Sequence, residues 1–371
     1  MTLVGKKPSI FEGEKLYVST GAVDCDHIDE DQTVWVTYEK RPSRANLTAS
    51  PGDMLFAKMC ATKKTLRLDE WTAQHLYSTG FFAVRANDSV IKPDLLHHLL
   101  ASDYFLRQKD KHSSGATQKA ITNKGLEKIT VKVPPLEEQQ KIADILDKVS
   151  DLIAKRRAQR EHLDTLVKAR FVEMFGDPVK NEKGWDTHPL EQRCNIITGN
   201  TPSRAESENY GDFIEWVKSD NLNTPYLYVT RAQEYLSEKG FKKCRFVEKN
   251  SLLLTCIAGS VQCIGNAAVT DRRVAFNQQI NAVVPHEDEV LYLYTMILLS
   301  KPAIQYSINK SLKGILSKGQ LSKMAFPFPP LALQQQFATF VTEVEKVKAK
   351  VKESEKTLEV LRHALMQEYF A

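Results

Sequence analysis

Two copies of one motif organise this chain: PPLEEQQKIA at residues 134–143 and PPLALQQQFA at residues 329–338. With an offset of about 195 residues, the alignment continues without a gap over about 40 positions and places Phe175 on Phe370. A repeat of this size indicates a duplicated structural unit. Because each copy follows a longer stretch of mixed sequence, the chain is predicted to have the order body, helix, body, helix.

Each motif predicts the start of a long amphipathic helix. Proline cannot donate to a strand ladder, so the pairs at 134–135 and 329–330 end a preceding strand, and Gly176 ends the first helix. Apolar residues recur at alternating steps of three and four, which is typical of the a/d seam of a coiled coil. Gln159 and Ser354 are polar seam positions near the helix centres and would meet in an antiparallel pair. The residues predicted to pair the helices are Ile142, Ile145, Val149, Leu152, Leu163, Leu166, Phe337, Phe340, Val344, Val347, Leu358 and Leu361.

The bodies in front of the helices also correspond to each other. The stretch GNTPS at 199–203 repeats GKKPS at 5–9, and the apolar run at 281–284 repeats the run at 81–84. The offset drifts between about 194 and 200 residues, which indicates related bodies with small insertions. We therefore predict an α+β fold with a pseudo-two-fold internal repeat, divided into a first body (1–133), a central long helix (134–176), a second body (177–328) and a C-terminal long helix (329–371).

Local patterns predict strands and a helix in the first body. Short apolar runs beside turn residues predict strands at 35–38, 54–57 and 81–84. The leucine spacing predicts one helix over 93–107, with Pro93 in its first turn. A further strand is predicted at 129–133, directly before the proline pair.

Composition narrows the class of protein and its partners. The chain has 371 residues, a net charge of +5 and a pI near 8.7, a mild basic excess that is compatible with a polyanionic partner. No apolar run approaches the roughly 20 residues of a membrane span, and residues 1–7 lack the apolar core of a secretion signal. Six cysteines without Cys-x-x-Cys spacing predict reduced thiols. These features predict a cytoplasmic protein.

The sequence contains no motif that predicts catalysis. Gly259–Gly265 lacks the lysine and spacing of a phosphate loop, and no Gly-x-Gly-x-x-Gly, Asn-Pro-Pro-Tyr or His-Glu-x-x-His stretch is present. His97-His98 lies in the predicted amphipathic helix, where a structural or surface role is favoured over a metal pair. We therefore expect neither catalytic nor metal-binding residues on this chain.

Basic residues with neighbouring hydroxyl groups are the candidates for binding. Any single pair of lysines is more often a solvated surface group, but cations together with Ser and Thr are the side chains that contact DNA phosphates and bases. The candidate DNA-binding residues are Lys6, Lys7, Ser9, Lys58, Lys63, Lys64, Arg67, Thr201, Ser203, Arg204, Lys218, Lys242, Lys243 and Arg245.

With these motifs, the chain resembles the specificity subunit of type I restriction–modification enzymes. The resemblance covers nearly the whole chain. It rests on the duplicated body–helix order, on the strand–Pro-Pro-Leu–Gln-Gln–Ile/Phe-Ala entries at 133–143 and 328–338, and on TGNTPS at 198–203. It implies that each body is a target-recognition domain that reads one half of a split double-stranded DNA sequence. It also implies that the long helices pair as an antiparallel coiled coil.

The resemblance further implies a division of chemistry between subunits. Two methyltransferase subunits would carry S-adenosylmethionine and modify adenine, and ATP-dependent motor-nuclease subunits, which use Mg, would cut the DNA. This chain would then be a non-catalytic DNA-specificity subunit without a cofactor of its own. From Ile142 to Glu173, about 31 residue steps span roughly 47 Å, which is on the order of 14 base pairs and suits a spacer between two readers.

The start of the first body differs from the start of the second, and two other functions stay open. Residues 176–197 precede the second Pro-Ser stretch, whereas only residues 1–4 precede the first, so the first body is expected to lack or to borrow an edge. The chain could therefore be a pseudo-symmetric interaction protein that binds methyltransferase-like partners without reading DNA. A nuclease fused to a coil is the third possibility.

Overall fold

A computed structural model describes residues 1–116, 118–308 and 314–371 of the chain. The chain divides into two compact units. Unit 1 comprises residues 1–158 and 352–371, and unit 2 comprises residues 159–351. Each unit contains one β-sheet body and one segment of each long helix, which confirms the predicted α+β class.

The body of unit 1 is built from short strands and short helices. Its strands are β1 (Thr2–Leu3), β2 (Lys15–Val18), β3 (Val23–Asp24), β4 (His27–Ile28), β5 (Val34–Val36), β6 (Ala45–Leu47), β7 (Met54–Ala57), β8 (Thr65–Arg67), β9 (Leu76–Ser78), β10 (Phe81–Arg85), β11 (Ser113–Ser114) and β12 (Ala120–Ile121). Its helices are α1 (Pro93–Leu100), α2 (Asp103–Lys111), α3 (Asn123–Leu126) and the long α4 (Leu136–Phe175), which continues into unit 2. The strands form sheets with the orders β1-β10-β7-β8 and β5-β2-β9-β6, together with the hairpins β3-β4 and β11-β12.

Unit 2 follows the same plan. Its strands are β13 (Thr187–Pro189), β14 (Cys194–Thr198), β15 (Tyr210–Val217), β16 (Tyr235–Leu236), β17 (Phe246–Val247), β18 (Leu252–Thr255), β19 (Ala267–Val269), β20 (Val274–Phe276), β21 (Ile280–Pro285) and β22 (Ala325–Pro327). Its helices are α5 (Leu190–Arg193), α6 (Glu238–Lys242), α7 (Val290–Ile308), α8 (Lys318–Lys323) and the long α9 (Leu331–Phe370), which continues into unit 1. The sheets have the orders β14-β21-β18-β19 and β16-β15-β20-β17, and β13 pairs with β22.

The central strands of the matching sheets explain why their sequences are continuously apolar. All four residues of β7 and all four of β18 are buried, because body residues cover both faces of these strands. The strand predicted at 54–57 is confirmed as β7. The strand predicted at 81–84 is confirmed as β10, and the one predicted at 35–38 lies slightly earlier, as β5.

Two local predictions are wrong. The helix predicted over 93–107 is two helices, because Ser102 caps the second one: its hydroxyl accepts the Phe105 N–H at 3.1 Å. Residues 129–133 form no strand, although the equivalent residues of unit 2 form β22. A strand needs a neighbour, and the described part of unit 1 has no counterpart of β13, the partner of β22.

The first glutamine of each repeated Gln-Gln pair is fully buried and joins a long helix to its body. The Gln139 side chain accepts the Lys92 N–H at 2.8 Å and donates to the Val90 and Pro134 carbonyls, both at 2.9 Å. In unit 2, Gln334 accepts the Glu289 N–H at 3.0 Å. It also donates to the Asp288 carboxylate at 2.8 Å and to the Pro329 carbonyl at 2.9 Å. We call these two residues the glutamine clamps.

Within each unit the two helix segments run antiparallel. In unit 1, Ile142 near the start of α4 shares a core cluster with Phe370 at the end of α9. In unit 2, the Phe337 ring near the start of α9 packs on Phe171 and Phe175 at the end of α4, with centroid distances of 5.4 and 5.6 Å. Tyr292 of α7 completes this aromatic cluster, and its hydroxyl donates to the Pro327 carbonyl at 2.7 Å.

The buried stripe on the long helices differs from a strict a/d seam. Of the predicted pairing residues, Ile142, Val149, Phe337 and Val344 are buried, and Ile145, Leu163, Phe340 and Leu358 are half-buried. Leu152, Leu166, Val347 and Leu361 are instead 42, 47, 43 and 45 % exposed. Residues such as Leu146, Ile153 and Val341 are also buried, because each helix segment packs on the body of its unit as well as on the other helix. The resulting apolar face is wider than a coiled-coil seam.

Polar contacts accompany the apolar ones toward the helix centres, where Ile153 and Val351 remain buried. Arg157 forms ion pairs with Glu355 at 3.0 Å and Glu359 at 2.8 Å in unit 1. Arg156 donates to the Ser354 hydroxyl at 3.2 Å. In unit 2, Lys348 pairs with Asp164 at 2.7 Å. Partly exposed pairs of this kind contribute about 1 kcal/mol or less, so they specify the pairing register more than they stabilise it.

None of the helices in the described part of the chain combines the length and the apolarity that crossing a membrane requires.

Removing a glutamine clamp should destabilise unit 2. Gln334→Leu leaves the Glu289 N–H and the Pro329 carbonyl without partners in a buried place, so we expect a loss of about 2–3 kcal/mol in unfolding free energy. The matched control is Gln335→Leu, because Gln335 is exposed and should change stability by less than about 0.5 kcal/mol. Chemical denaturation of both variants checks this, and equal effects would contradict the clamp.

Candidate nucleic-acid interface

In unit 2 the candidate residues surround the loop that follows β14. We call residues 199–203 the second Pro-Ser loop. A Cβ at Gly199 would overlap the Asn277 and Phe276 carbonyl oxygens, so the close approach of two backbones requires glycine here. The Asn200 side chain donates to the Lys243 carbonyl at 2.8 Å and accepts the Arg245 N–H at 2.9 Å. The loop is therefore fixed against the segment that carries Lys242, Lys243 and Arg245.

Arg204 lies directly after this loop on a platform of aromatic rings. Its guanidinium is 4.5 Å from the ring centre of Tyr210 and 5.2 Å from that of Trp216. Glu234 pairs with Arg204 at 2.6 Å and also with Lys218, and Lys218 with Arg204 lowers the pKa of Glu234. The guanidinium is thus held in a defined orientation while it remains accessible to solvent.

Some of the remaining cations of this surface already bond to other residues of unit 2. Lys243 pairs with Glu206 at 2.6 Å, and Arg245 donates to the Thr198 carbonyl at 2.6 Å. The Lys242 side chain is exposed and forms no ion pair within the described residues. Thr201 and Ser203 are exposed, and Thr201 donates to the Gln278 side chain. The structure therefore brings together all seven candidate residues of the second body, including Arg204 and Lys218.

The first Pro-Ser loop, residues 5–9, has a similar setting in unit 1. The backbone of Lys6 exchanges hydrogen bonds with Thr48, which fixes the loop on the neighbouring segment. The side chains of Lys6, Lys7 and Ser9 are exposed, and both lysines are without ion pairs in the described part of the chain. The loop therefore offers two uncompensated positive charges to solvent.

Cations again lie on aromatic rings close behind this loop. The Lys15 ammonium is 5.2 Å from the Phe11 ring centre, and the Arg41 guanidinium is 3.8 Å from that of Tyr38. The two rings meet edge to face at 5.5 Å. Sequence reasoning did not single out these aromatic residues, because Phe11 and Tyr38 are distant in the chain and no local pattern joins them.

The other candidates of the first body form contacts within the fold. Lys63 pairs with Asp103 at 2.8 Å, and Arg67 pairs with Asp94. Lys58 and Lys64 each donate to a main-chain carbonyl at 2.8 Å, that of Thr79 and that of Thr20 respectively. Burial lowers the pKa of Lys58. These four residues lie on the β7–β8 hairpin, and their side chains contact residues outside the first Pro-Ser loop.

The histidine pair and the acidic residues give no sign of a metal centre. His98 is buried and contacts the Asp147 carboxylate at 2.8 Å, so it has a structural contact between α1 and α4. Among the residues that the structure describes, no group of His, Cys, Asp or Glu side chains is arranged to hold a metal ion.

A buried ion-pair cluster supports the platform from below. Burial opposes ionisation of Glu215, but two guanidinium groups and a backbone N–H outweigh it and lower its pKa to about 2. The donors are Arg272 at 2.6 Å, Arg231 at 2.6 Å and the Ala232 N–H at 2.9 Å. Glu215 precedes Trp216 in β15, so the cluster anchors the strand on which the aromatic platform stands.

A sequence model of the family described as "Type I restriction modification DNA specificity domain" matches residues 67–163 and 182–361. The chain belongs to this family. It is a DNA-specificity subunit of a type I restriction–modification system and is itself non-catalytic. The resemblance found in the sequence is confirmed.

Individual relatives agree with this assignment. The HindI type I restriction enzyme specificity subunit of Haemophilus influenzae is 22% identical over 355 residues, covering 75% of this chain and 75% of the relative. Two solved structures have the same fold. One comes from work on complex assembly and conformational transition of the type I R-M system, with a TM-score of 0.58, 21% identity and coverage of 100% of this chain and 94% of that chain. The other is the S subunit of a type I system from M. genitalium, with a TM-score of 0.54, 14% identity and the same coverage.

Acid should remove the stability that Glu215 contributes. Its pKa in the folded protein, about 2, lies below the ordinary value of 4.5, so the contribution is complete above about pH 4.5 and is lost as the pH falls toward 2. Glu215→Gln removes the charge at every pH. We expect it to cost about 3 kcal/mol near pH 7 and to flatten the decline of stability in acid.

Melting curves across this pH range measure both effects. Glu248→Gln is the matched control, because Glu248 forms an exposed pair with Arg273. An unchanged acid profile in Glu215→Gln would contradict the assigned role of this cluster.

Proposed function

We propose that residues 1–133 and 177–328 are two target-recognition domains and that each reads one half of a bipartite double-stranded DNA sequence. The proposal is supported by a feature that both units share: a Pro-Ser loop beside cations that lie on aromatic rings. A duplicated, basic and pre-oriented surface suits a duplicated, polyanionic target.

The electrostatics of this surface favour DNA phosphates as ligands. The Arg204 guanidinium is exposed, whereas Glu234 is half-buried and also pairs with Lys218. Glu234 therefore keeps one cation when the guanidinium exchanges it for a phosphate. The planar guanidinium keeps its stacking on Tyr210 while it binds a phosphate or a guanine edge with two hydrogen bonds. In unit 1, Lys6 and Lys7 require no such exchange, because their charges are uncompensated.

The candidate residues then divide into different roles. Lys6, Lys7 and Lys242 are proposed phosphate contacts, and Ser9, Thr201 and Ser203 are proposed hydroxyl contacts to phosphates or bases. Arg204, Lys218, Lys243 and Arg245 form the proposed reading surface of the second domain. Lys58, Lys63, Lys64 and Arg67 are proposed to shape the β7–β8 hairpin of the first domain through their contacts with Thr79, Asp103, Thr20 and Asp94.

The long helices are the proposed spacer and partner platform. Residues 134–176 and 329–371 would set the number of unread base pairs between the half-sites, since α4 and α9 are each 40 residues long. The proposed partners are two methyltransferase subunits and motor-nuclease restriction subunits. S-adenosylmethionine, ATP and Mg would bind those partners, and the assembly would act on DNA in the cytoplasm.

A second function is supported by the internal pairing of the cations. Because Lys63, Arg67 and Lys243 already have acidic partners, the chain could act as a pseudo-symmetric scaffold that binds methyltransferase-like subunits without reading DNA. The two functions predict different responses of DNA binding to salt.

Loss of the exposed lysines should weaken DNA binding of the complex with its methyltransferase subunits. For Lys6→Ala with Lys7→Ala, we expect lower affinity for all sequences. The slope of log affinity against log salt should become shallower by about 1.8, because two phosphate contacts are lost. Fluorescence anisotropy at several salt concentrations measures this slope.

The matched control removes two exposed lysines of α9, Lys346→Ala with Lys350→Ala. It should retain the original slope. Equal slopes for wild type and both double variants would exclude the proposed phosphate contacts and favour the scaffold.

A further inference from the structure

A buried lysine holds the loop between β7 and β8, which we call the first hairpin loop (residues 58–64). Lys109 of α2 is 2 % exposed. Its ammonium donates to three main-chain carbonyls, those of Ala57 at 3.0 Å, Met59 at 2.8 Å and Thr62 at 2.6 Å. Burial lowers the pKa of Lys109. All three donor positions of the ammonium are therefore used to fix the course of one loop.

Unit 2 contains the same device with a different side chain. The second hairpin loop, residues 256–266, connects β18 and β19. Nε2 of Gln305 in α7 lies within hydrogen-bond distance of the carbonyls of Val261 at 3.1 Å, Gln262 at 3.1 Å and Ile264 at 2.9 Å, and its two N–H groups are shared among these three acceptors. Gln305 follows Lys109 by 196 positions, close to the offset of the repeat. Two related positions thus organise two related loops, although an ammonium has been exchanged for an amide.

Further bonds fix both loops. The Asp110 carboxylate accepts the Ala61 N–H at 3.0 Å, where Ala61 has a left-handed backbone with φ of 55°. A bridge joins Met59 to Ala120 in unit 1, and an equivalent bridge joins Ile257 to Ile315 in unit 2. These contacts hold the main chain of each loop. The exposed positions are Met59 and Ala61 in the first loop and include Ser260 and Gln262 in the second.

Sheet topology places each hairpin loop beside the Pro-Ser loop of the same unit. In unit 2, β14 and β18 are both antiparallel to β21, so they run in the same direction. Their carboxyl ends lie at one end of the sheet, about 10 Å apart across β21. The Gly199 N–H donates to the Ile280 carbonyl, and the Cys256 N–H donates to the Gln279 carbonyl. The first residues of both loops therefore bond to neighbouring residues at the start of β21.

The same arrangement occurs in unit 1. There β1 and β7 are both antiparallel to β10, and they lead into the first Pro-Ser loop and the first hairpin loop. The Lys58 N–H bonds to the Gly80 carbonyl at 2.8 Å, at the turn that precedes β10. Each unit therefore presents two adjacent loops at one end of its sheet.

The chemistry of Lys109 indicates that this residue fixes a loop conformation and does not mainly stabilise the fold. Lys109 forms no ion pair within the described part of the chain, and a buried ammonium held mainly by carbonyl groups is costly. An apolar residue of the same volume would fill the space without that cost. Its three bonds instead specify one loop conformation. Binding residues are commonly carried on loops that a rigid scaffold holds in position.

We infer that Lys109 and Gln305 are matching positioning residues that hold the two hairpin loops in the conformation that reads DNA, one loop for each half-site. This inference rests on the proposed function, since it requires each body to read one half of the target. Neither residue contacts DNA itself. Each sets specificity through the loop whose carbonyl groups it binds.

The test uses the complex of the full chain with its methyltransferase subunits and measures methylation of the true target and of targets mismatched in one half-site. Lys109→Met keeps the volume of the side chain and removes its donors. We expect discrimination against mismatches in the half-site of the first body to fall at least tenfold, with discrimination in the other half-site unchanged. Gln305→Met should produce the reverse pattern.

Lys109→Gln is the conservative variant, because it introduces the donor that unit 2 uses, and it should recover most of the discrimination. A purely structural role would instead lower the melting temperature and the methylation of all targets together. If Lys109→Met does not fold, Gln305→Met carries the same test in the other half-site.

Three outcomes are distinguishable. Half-site-specific losses with recovery in Lys109→Gln support the inference. Folded variants with unchanged or uniformly lowered discrimination overturn it while the proposed function stands. Absence of half-site discrimination in the wild type overturns both.

Discussion

Two buried glutamine side chains hold the rest of this structure in place. At the start of each long helix, Gln139 or Gln334 satisfies main-chain groups of the body and of the proline entry at the same time. Because an unpaired buried amide is costly, the helix leaves its body in the one direction that satisfies all of these groups. The aromatic cluster around Phe337 and the apolar cluster around Ile142 then fill the space that the clamps define. The repeated Gln-Gln motif therefore connects each long helix to its body, and the first glutamine is the buried one in both copies.

The two units place side chains with the same task at equivalent positions, but the side-chain types often differ. The clamps are glutamine in both units, whereas the loop-holding position is Lys109 in one and Gln305 in the other. Near the helix centres, unit 1 uses Arg157 with two glutamates, and unit 2 uses Lys348 with Asp164. The two units therefore share a frame and differ in the side chains that fix it.

The sequence predicted the elements whose signals are local. The proline pairs and Gly176 delimit the long helices, and the continuous apolar run Met54–Ala57 gives a central strand. Features that depend on distant partners were not predictable in this way. The strand expected at 129–133 needs a neighbour, and the seam positions of Leu152 and Leu361 depend on where each body covers its helix. For the candidate interface, Lys63 could not be seen to pair with Asp103, 40 residues away. Nor could Lys109 be told from a surface lysine.

If two bodies on one pair of long helices read a target in two parts, the pattern of DNA modification shows it. In cells that carry this chain with its methyltransferase subunits, sequencing of the methylated adenines should reveal a motif of two short specified sequences separated by a gap of constant length and unspecified composition. A single uninterrupted motif, or methylation without any sequence preference, would contradict reading in two parts.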